Sequence, residues 1–378
     1  MPLLHSGGAV SRISAILSSG ETGKFMKMTR YAIEIDRADL SRQEKVSLNL
    51  TAGEGEIIAE IELASITSNN ITYAVMGGEP FNYWNFFPAS DPARGIVPLW
   101  GYATISESRS PHVAEGSRLF GYWPSATHLK LLPGPAKSGG FTDLAPHRQG
   151  LAPVYNSYRP TPGITPETEP LIALFQPLYG TGFVLAQSLG SDIAAGRSIL
   201  LTSASAKTAL ATAFNLQRAG GMAIGLTSAA NRAFVENTGF YAQVLTYEEL
   251  ESLDPATPSV LVDFAGNGAL KARIHRHLKS LSASHIVGDT DWAAPSDEPL
   301  EGPPPTLFFA PTHWADRIRE IGQQAFDHEL NSSMAAFLAT TPHWLTVETH
   351  SGPKGYMDSF NRLLSNKLPP NIGLVWKP

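Results

Sequence analysis

The stretch Ser198-Ile199-Leu200-Leu201-Thr202-Ser203-Ala204-Ser205-Ala206-Lys207-Thr208-Ala209-Leu210-Ala211 constrains the fold more than any other. An apolar run of strand type passes through a turn of small residues into a helical pattern. Residues 222–228, 260–266, 285–289 and 306–310 repeat the short buried-strand signature. Strands alternating with helices require a parallel sheet, and such sheets bind ligands beyond the carboxyl ends of their strands. The turn after the first strand is where a dinucleotide's pyrophosphate would rest, on the N-terminus of the following helix.

The first half reads differently. Segments 32–35, 55–63, 101–106, 118–122 and 128–132 carry period-two alternation between Gly/Pro turns, which is the pattern of half-buried antiparallel strands. We therefore expect an α/β chain with an N-terminal mostly-β domain. Its parts are a Ser/Gly-rich extension over 1–28, a β domain over 29–165, a parallel-sheet domain over 166–320, and a closing segment over 321–378. Within the last part, 314–338 reads as helix, and 346–349 and 373–376 as closing strands. Residues 167–189 read as the helix joining the halves, and 295–305 as a Pro-rich surface loop.

Composition excludes whole classes of function. With 378 residues, of which 43% are hydrophobic and 16% charged, the chain can bury cores for two domains. A net charge of −6 gives no basis for a nucleic-acid or anionic-membrane partner. The absence of cysteine removes disulfides, thiol nucleophiles, cysteine-held zinc and iron–sulfur clusters. His275 and His277 lie two apart in a helical pattern and do not face each other, so we expect no metal. Residues 1–27 lack a signal-peptide pattern and no run approaches the roughly 20 apolar residues of a span, so the expected location is the cytoplasm.

In the turn, Ser203, Ala206 and Ala209 stand at the three-residue spacing where glycines usually permit close approach to phosphate. Ser205 and Thr208 add hydroxyl donors and Lys207 a cation, although a solvated lysine at an ordinary strand–helix junction gives the same pattern. A triphosphate loop is excluded, because its glycines are missing. The end of the second strand carries Thr227, Ser228, Asn231 and Arg232 with no acid to hold a ribose 2′-hydroxyl. Arg232 can pair with a 2′-phosphate, which favours NADPH over NADH. The alternative for Arg232 is a solvated helix residue.

A β domain followed by a dinucleotide-type domain resembles the medium-chain dehydrogenase/reductase superfamily, and local motifs support the likeness. Residues 56–70 are similar to that family's first catalytic-domain strand and the turn after it. Ile96-Val97-Pro98-Leu99-Trp100-Gly101-Tyr102 stands where the family has Pro-Gly-His-Glu-Gly. Ala114-Glu115-Gly116-Ser117-Arg118-Leu119-Phe120-Gly121 is similar to its Val-Gly-Asp-Arg-Val turn, and 203–209 to its Gly-Ala-x-Gly-Gly-Val-Gly turn. Val262-Asp263-Phe264-Ala265-Gly266-Asn267 is similar to a strand-four turn that borders the cofactor. The resemblance implies a GroES-like β-barrel domain plus a Rossmann-type doubly wound sheet. It makes Gly266, Asn267 and Gly288 cofactor neighbours and, by analogy, the chain a homodimer paired at the last strand of the sheet.

The zinc ligands of the superfamily align with Asn69 and Trp100, neither a good zinc ligand, so the likeness is to the zinc-independent quinone and enone reductases. In that setting a carbonyl must be polarised by hydrogen-bond donors and a side chain must give a proton. Asn69 and Tyr73 are the candidates, in what reads as a turn that Asn69 and Asn70 otherwise merely shape. Aromatic residues around it, with Asn70, Tyr83, Trp84, Trp100 and Tyr155 as candidate substrate contacts, point to an apolar or planar small-molecule substrate. The insertion over 133–159 is long enough to cover a cleft. The expected activity is NADPH-dependent reduction of an enone, quinone or related carbonyl. The alternative is a degenerate dinucleotide-binding sensor or scaffold.

Overall fold

The computed structural model describes residues 30–135, 139–287 and 300–378. In chain order the first half holds β1 (Tyr31–Asp36), β2 (Gln43–Ser47), β3 (Ile57–Ile66), α1 (Ser68–Val75), β4 (Arg94–Ile96), β5 (Pro98–Ser108), β6 (Arg118–Pro124), β7 (His128–Leu131), β8 (Phe141–Thr142) and β9 (Ser157–Pro160). Then come α2 (Glu169–Ser188), α3 (Gly190–Ala194), β10 (Ser198–Leu201), α4 (Lys207–Arg218), β11 (Met222–Thr227), α5 (Arg232–Thr238), β12 (Gln243–Thr246), β13 (Ser259–Asp263), α6 (Gly268–His277) and β14 (Leu281–Ile286). The chain closes with β15 (Thr306–Leu307), α7 (Ala310–Ile321), α8 (Gln323–Leu338), β16 (Thr346–Ser351), α9 (Gly352–Leu364) and β17 (Ile372–Lys377).

The first half supplies most of a mainly antiparallel sheet around the long strand β3, with order β16-β17-β3-β5-β6-β9-β8, in which the C-terminal strands β16 and β17 pair in parallel, and it forms a smaller sheet β2-β1-β4. Glycine is required where β5 crosses β3. A Cβ on Gly101 would lie 2.0 Å from the Leu63 carbonyl oxygen, next to the slip in register between Ile61 and Leu63. The C-terminal strand β17 returns to this sheet and pairs antiparallel with β3 at Leu374, Val375 and Trp376.

The second sheet is wholly parallel, in the order β12-β11-β10-β13-β14-β15. The chain winds outward from β10 to β12 and then starts again from β13 in the other direction, so the switch point lies between β10 and β13. Helix α4, buried at every position from Ala209 to Leu216, packs against α2. Gly182 permits that approach, because its Cβ would sit 2.8 Å from the Thr212 backbone nitrogen.

Several local expectations change. Residues 69–73 are not a turn but the first part of α1. The helix read over 314–338 is two helices, α7 and α8, broken at Gly322, whose φ of 84° is open to glycine. Strand β12 was not expected, and β15 is two residues long, with Leu307 and Phe309 exposed at the sheet edge. Gly288 and the extension 1–28 lie outside the described residues. No helix among the described residues is long and apolar enough to cross a membrane.

Candidate active site

A cleft of about 1110 Å³ opens between the two sheets at the switch point. That exceeds the roughly 300–1,000 Å³ of an ordinary small-molecule pocket and gives room for a dinucleotide and a substrate together.

The floor on the parallel-sheet side is set by Thr202. Its hydroxyl donates to Asp263 Oδ1 at 2.7 Å and accepts the backbone N–H groups of Phe264 and Ala265 at 2.9 and 3.1 Å. This clamps the ends of β10 and β13 together, and Lys271 neutralises Asp263 from 3.0 Å. Ser203 follows with φ 48°, so a serine takes the left-handed conformation that glycine would adopt freely. Ala206 then caps α4 without a side-chain acceptor. The N-cap side chain therefore takes none of the first-turn N–H groups of α4, and the helix dipole favours an anion there.

Lys207, the first residue of α4, reaches the Ile372 carbonyl oxygen at 3.4 Å. Burial pulls its ammonium down from the ordinary 10.5 to about 8. Ser205, Thr208, Thr227, Ser228 and Asn231 line the same stretch of cleft, and Asn231 donates to Ser205 Oγ at 3.2 Å. Asn267 lines it too and caps α6 by accepting from the Leu270 N–H at 2.9 Å.

Two expected cofactor contacts are corrected. Arg232 does not line the cleft: Glu236 holds its Nε at 2.9 Å and Glu249 takes its Nη1 at 2.8 Å. Two other arginines do reach the wall, Arg273 on α6, paired with Glu251, and Arg159 on β9. Gly266 is likewise off the wall, its N–H held by Asp263 Oδ1 at 3.2 Å while its neighbours Ala265 and Asn267 face the cleft.

The opposite wall comes from α1, β5, β6 and β9. Asn69 Nδ2 donates to the Tyr73 hydroxyl at 2.6 Å, one helical turn away, and Trp100 Nε1 donates to the same oxygen at 3.0 Å. Thus the two residues at the positions of the family's zinc ligands converge on one phenol oxygen. Tyr73 is 3% exposed, and burial pushes its phenol well above the usual range. Two N–H groups aimed at that oxygen stabilise it as an anion once its proton has left.

Tyr155 and Trp100 also line the cleft, with ring centroids 6.0 Å apart, and Phe120 stacks on Trp100 at 5.9 Å and 18°. Three candidate substrate contacts do not. Asn70 is buried, with Oδ1 taking the Thr67 N–H at 2.6 Å and Nδ2 donating to the Pro98 carbonyl at 2.7 Å, so its amide is spent on the start of α1. Trp84 packs in the core, against Gly77 and Gly95. Tyr83 stands behind Tyr155, hydroxyl to hydroxyl at 3.2 Å.

The sequence reading missed Arg159, Arg273 and Tyr247 on the cleft wall, and Thr202 beneath it. For Arg159 a signal exists, since period-two alternation from Ser157 places it on the same face. Tyr247 follows β12, which the four-residue run Gln243–Thr246 does not announce.

The family model that matches the chain, described as "Protein of unknown function (DUF2855)", covers residues 64–369. No curated protein matches by sequence. Among solved structures, CurA from Vibrio vulnificus in complex with NADPH is 11% identical, with a TM-score of 0.62, and the match covers 92% of this chain and 98% of that one. A quinone oxidoreductase from Pseudomonas syringae pv. Tomato is 12% identical over 92% of this chain and 100% of that one, TM-score 0.60. A mycobacterial protein, Rv1454c, complexed with NADPH is 13% identical over 93% and 100%, TM-score 0.57. The fold is the one these solved structures share, a GroES-like β domain followed by a Rossmann-type parallel sheet.

Proposed function

Because the chain belongs to the DUF2855 family, whose description assigns no activity, we propose a function from the cleft itself: an NADPH-dependent oxidoreductase that reduces an activated carbon–carbon double bond or a quinone. The observation that carries this reading is the pairing, in one cleft, of an uncapped helix N-terminus bearing Lys207 with a buried phenol held by two N–H donors. Two structural relatives described as NADPH complexes support the choice of cofactor.

The residues present fit a dinucleotide. The first turn of α4 and Lys207 would hold the pyrophosphate, and Ser228, Asn231 and Arg273 the adenosine end, where among the described residues no acid of the cleft wall opposes a 2′-phosphate. NADPH, when bound, supplies a hydride. The chain's own residues supply the rest. Trp100, Phe120 and Tyr155 hold a planar acceptor, and Tyr73 delivers its proton to the α-carbon as the β-carbon gains the hydride. For a quinone the proton goes to oxygen. Two electrons and two hydrogens are transferred, Asn69 and Trp100 hold the phenolate left behind, and water reprotonates it.

A second reading, a dinucleotide-binding protein without turnover, draws on Ser203 standing where a glycine would relieve the backbone. Titration with NADPH and NADH by nicotinamide fluorescence, followed by NADPH oxidation with a panel of enones and quinones, decides between the two. Tighter binding of NADPH with turnover is expected. Binding without turnover favours the second reading, and binding of neither cofactor overturns both.

A further inference from the structure

Strand β9 carries a cation into the cleft, and no described residue neutralises it. Arg159 stands directly across from Phe120 of β6. Strand alternation puts Ser157 and Arg159 on one face of β9, toward the cleft, and Tyr158 on the other, in the core. Among the described residues no carboxylate pairs with Arg159, and no Asp or Glu lines the cleft. Of the other two cations on the wall, Arg273 is paired with Glu251 and Lys207 belongs to the far end, at the start of α4.

The backbone beneath Arg159 is held by an unusually costly device. Arg148 and Asp143, each 1% exposed, pair at 3.1 Å in the interior. Arg148 Nη1 also donates to Asn156 Oδ1 at 3.1 Å and to the Tyr158 hydroxyl at 2.7 Å, and that hydroxyl donates to the Tyr122 carbonyl at 3.0 Å. Asn156 Nδ2 closes the network on the Asp143 carbonyl at 2.7 Å. Desolvating two charges stabilises little by itself. Here it locks residues 156–158 in place, so that Ser157 and Arg159 stand on a fixed strand while the guanidinium remains open to the cleft. Beside it lies the aromatic shelf of Phe120 stacked on Trp100.

We propose that Arg159 is a specificity-determining residue and that the cleft selects a planar, conjugated acceptor bearing a carboxylate, which pairs with the guanidinium while its ring lies along Phe120 and Trp100. The fork of N–H donors suits a carboxylate bidentately, and no acid among the described wall residues competes for it. That the ligand is a hydride acceptor rests on the proposed reductase function; the carboxylate site does not.

The test uses the full chain and two ligands of one shape, 2-naphthoate and 2-naphthamide, titrated by tryptophan fluorescence and calorimetry, with and without NADPH. Naphthoate is expected to bind at least tenfold more tightly than the amide. R159Q should abolish that preference, R159K should retain part of it, and NADPH affinity should be the same in all three proteins. Equal binding of the two ligands by the wild type, or an intact preference in R159Q, overturns the proposal. Weakened NADPH binding in R159Q also overturns it, by assigning the arginine to the cofactor. A naphthoate preference in a chain that binds no NADPH would overturn the reductase reading and uphold this one.

Discussion

Replacing Tyr73 with Phe separates chemistry from architecture in this cleft. The substitution deletes one oxygen and leaves the ring packed against Tyr83 and Tyr122, at centroid distances of 4.7 and 5.3 Å. Two donors, Asn69 Nδ2 and Trp100 Nε1, lose their acceptor. In a dry interior that would cost roughly 1–3 kcal/mol for each. Both residues are half-buried on the wall of an open cleft, where water can replace the phenol, so the expected loss is about 1 kcal/mol, or a few degrees in Tm. Loss of a general acid costs far more, ~10²–10⁴-fold in rate. Y73F should therefore lower kcat at least about 100-fold while NADPH affinity holds and Tm falls by no more than a few degrees. Burial holds the phenol in its neutral, proton-bearing form through the working range, so the wild-type rate should show no loss from its ionisation up to about pH 10. Stopped-flow oxidation of NADPH with a quinone acceptor, beside a thermal melt, measures both effects. A kcat within about threefold of wild type would refute the role of Tyr73.

Other consequences follow from particular contacts. Lys207 titrates near 8 in the free protein, and a bound anion favours its charged form, so binding takes up a proton and NADPH affinity should fall as pH rises through about 8. K207M should flatten that profile, read by titration at pH 6 to 10, and weaken binding below pH 8. Arg232 is engaged by Glu236 and Glu249 outside the cleft, so R232A should change NADPH affinity by less than about threefold, whereas R273A should weaken it; calorimetry distinguishes them. Removing Arg148 leaves Asp143 charged and buried, so R148A should cost about 3–5 kcal/mol in chemical denaturation, far more than any substitution at exposed Arg159.

The parallel sheet, the tight turn after its first strand and the order of the elements were legible in the sequence, because they depend on neighbours in the chain. Period-two and helical patterns report burial along one element, and small residues between a strand and a helix report a backbone that must stay close to something. Positions 198–211 needed nothing else. The left-handed serine at 203 was not legible, since the turn's tightness is imposed by Thr202 gripping Asp263, 61 residues further on.

Partners of charged and polar side chains were decided by the tertiary structure alone. Arg232 looks like a phosphate ligand until Glu249, 17 residues away, is folded against it. Asn70 looks available until the Pro98 carbonyl takes its amide. Asn69 and Tyr73 are neighbours on α1, but only the fold brings Trp100, 27 residues on, to the same phenol oxygen. Sequence pattern fixes where apolar surface must be hidden, because hydrophobic burial is non-directional and additive along the chain. Hydrogen bonds and ion pairs are directional and short, so which donor meets which acceptor is settled only when distant segments have packed.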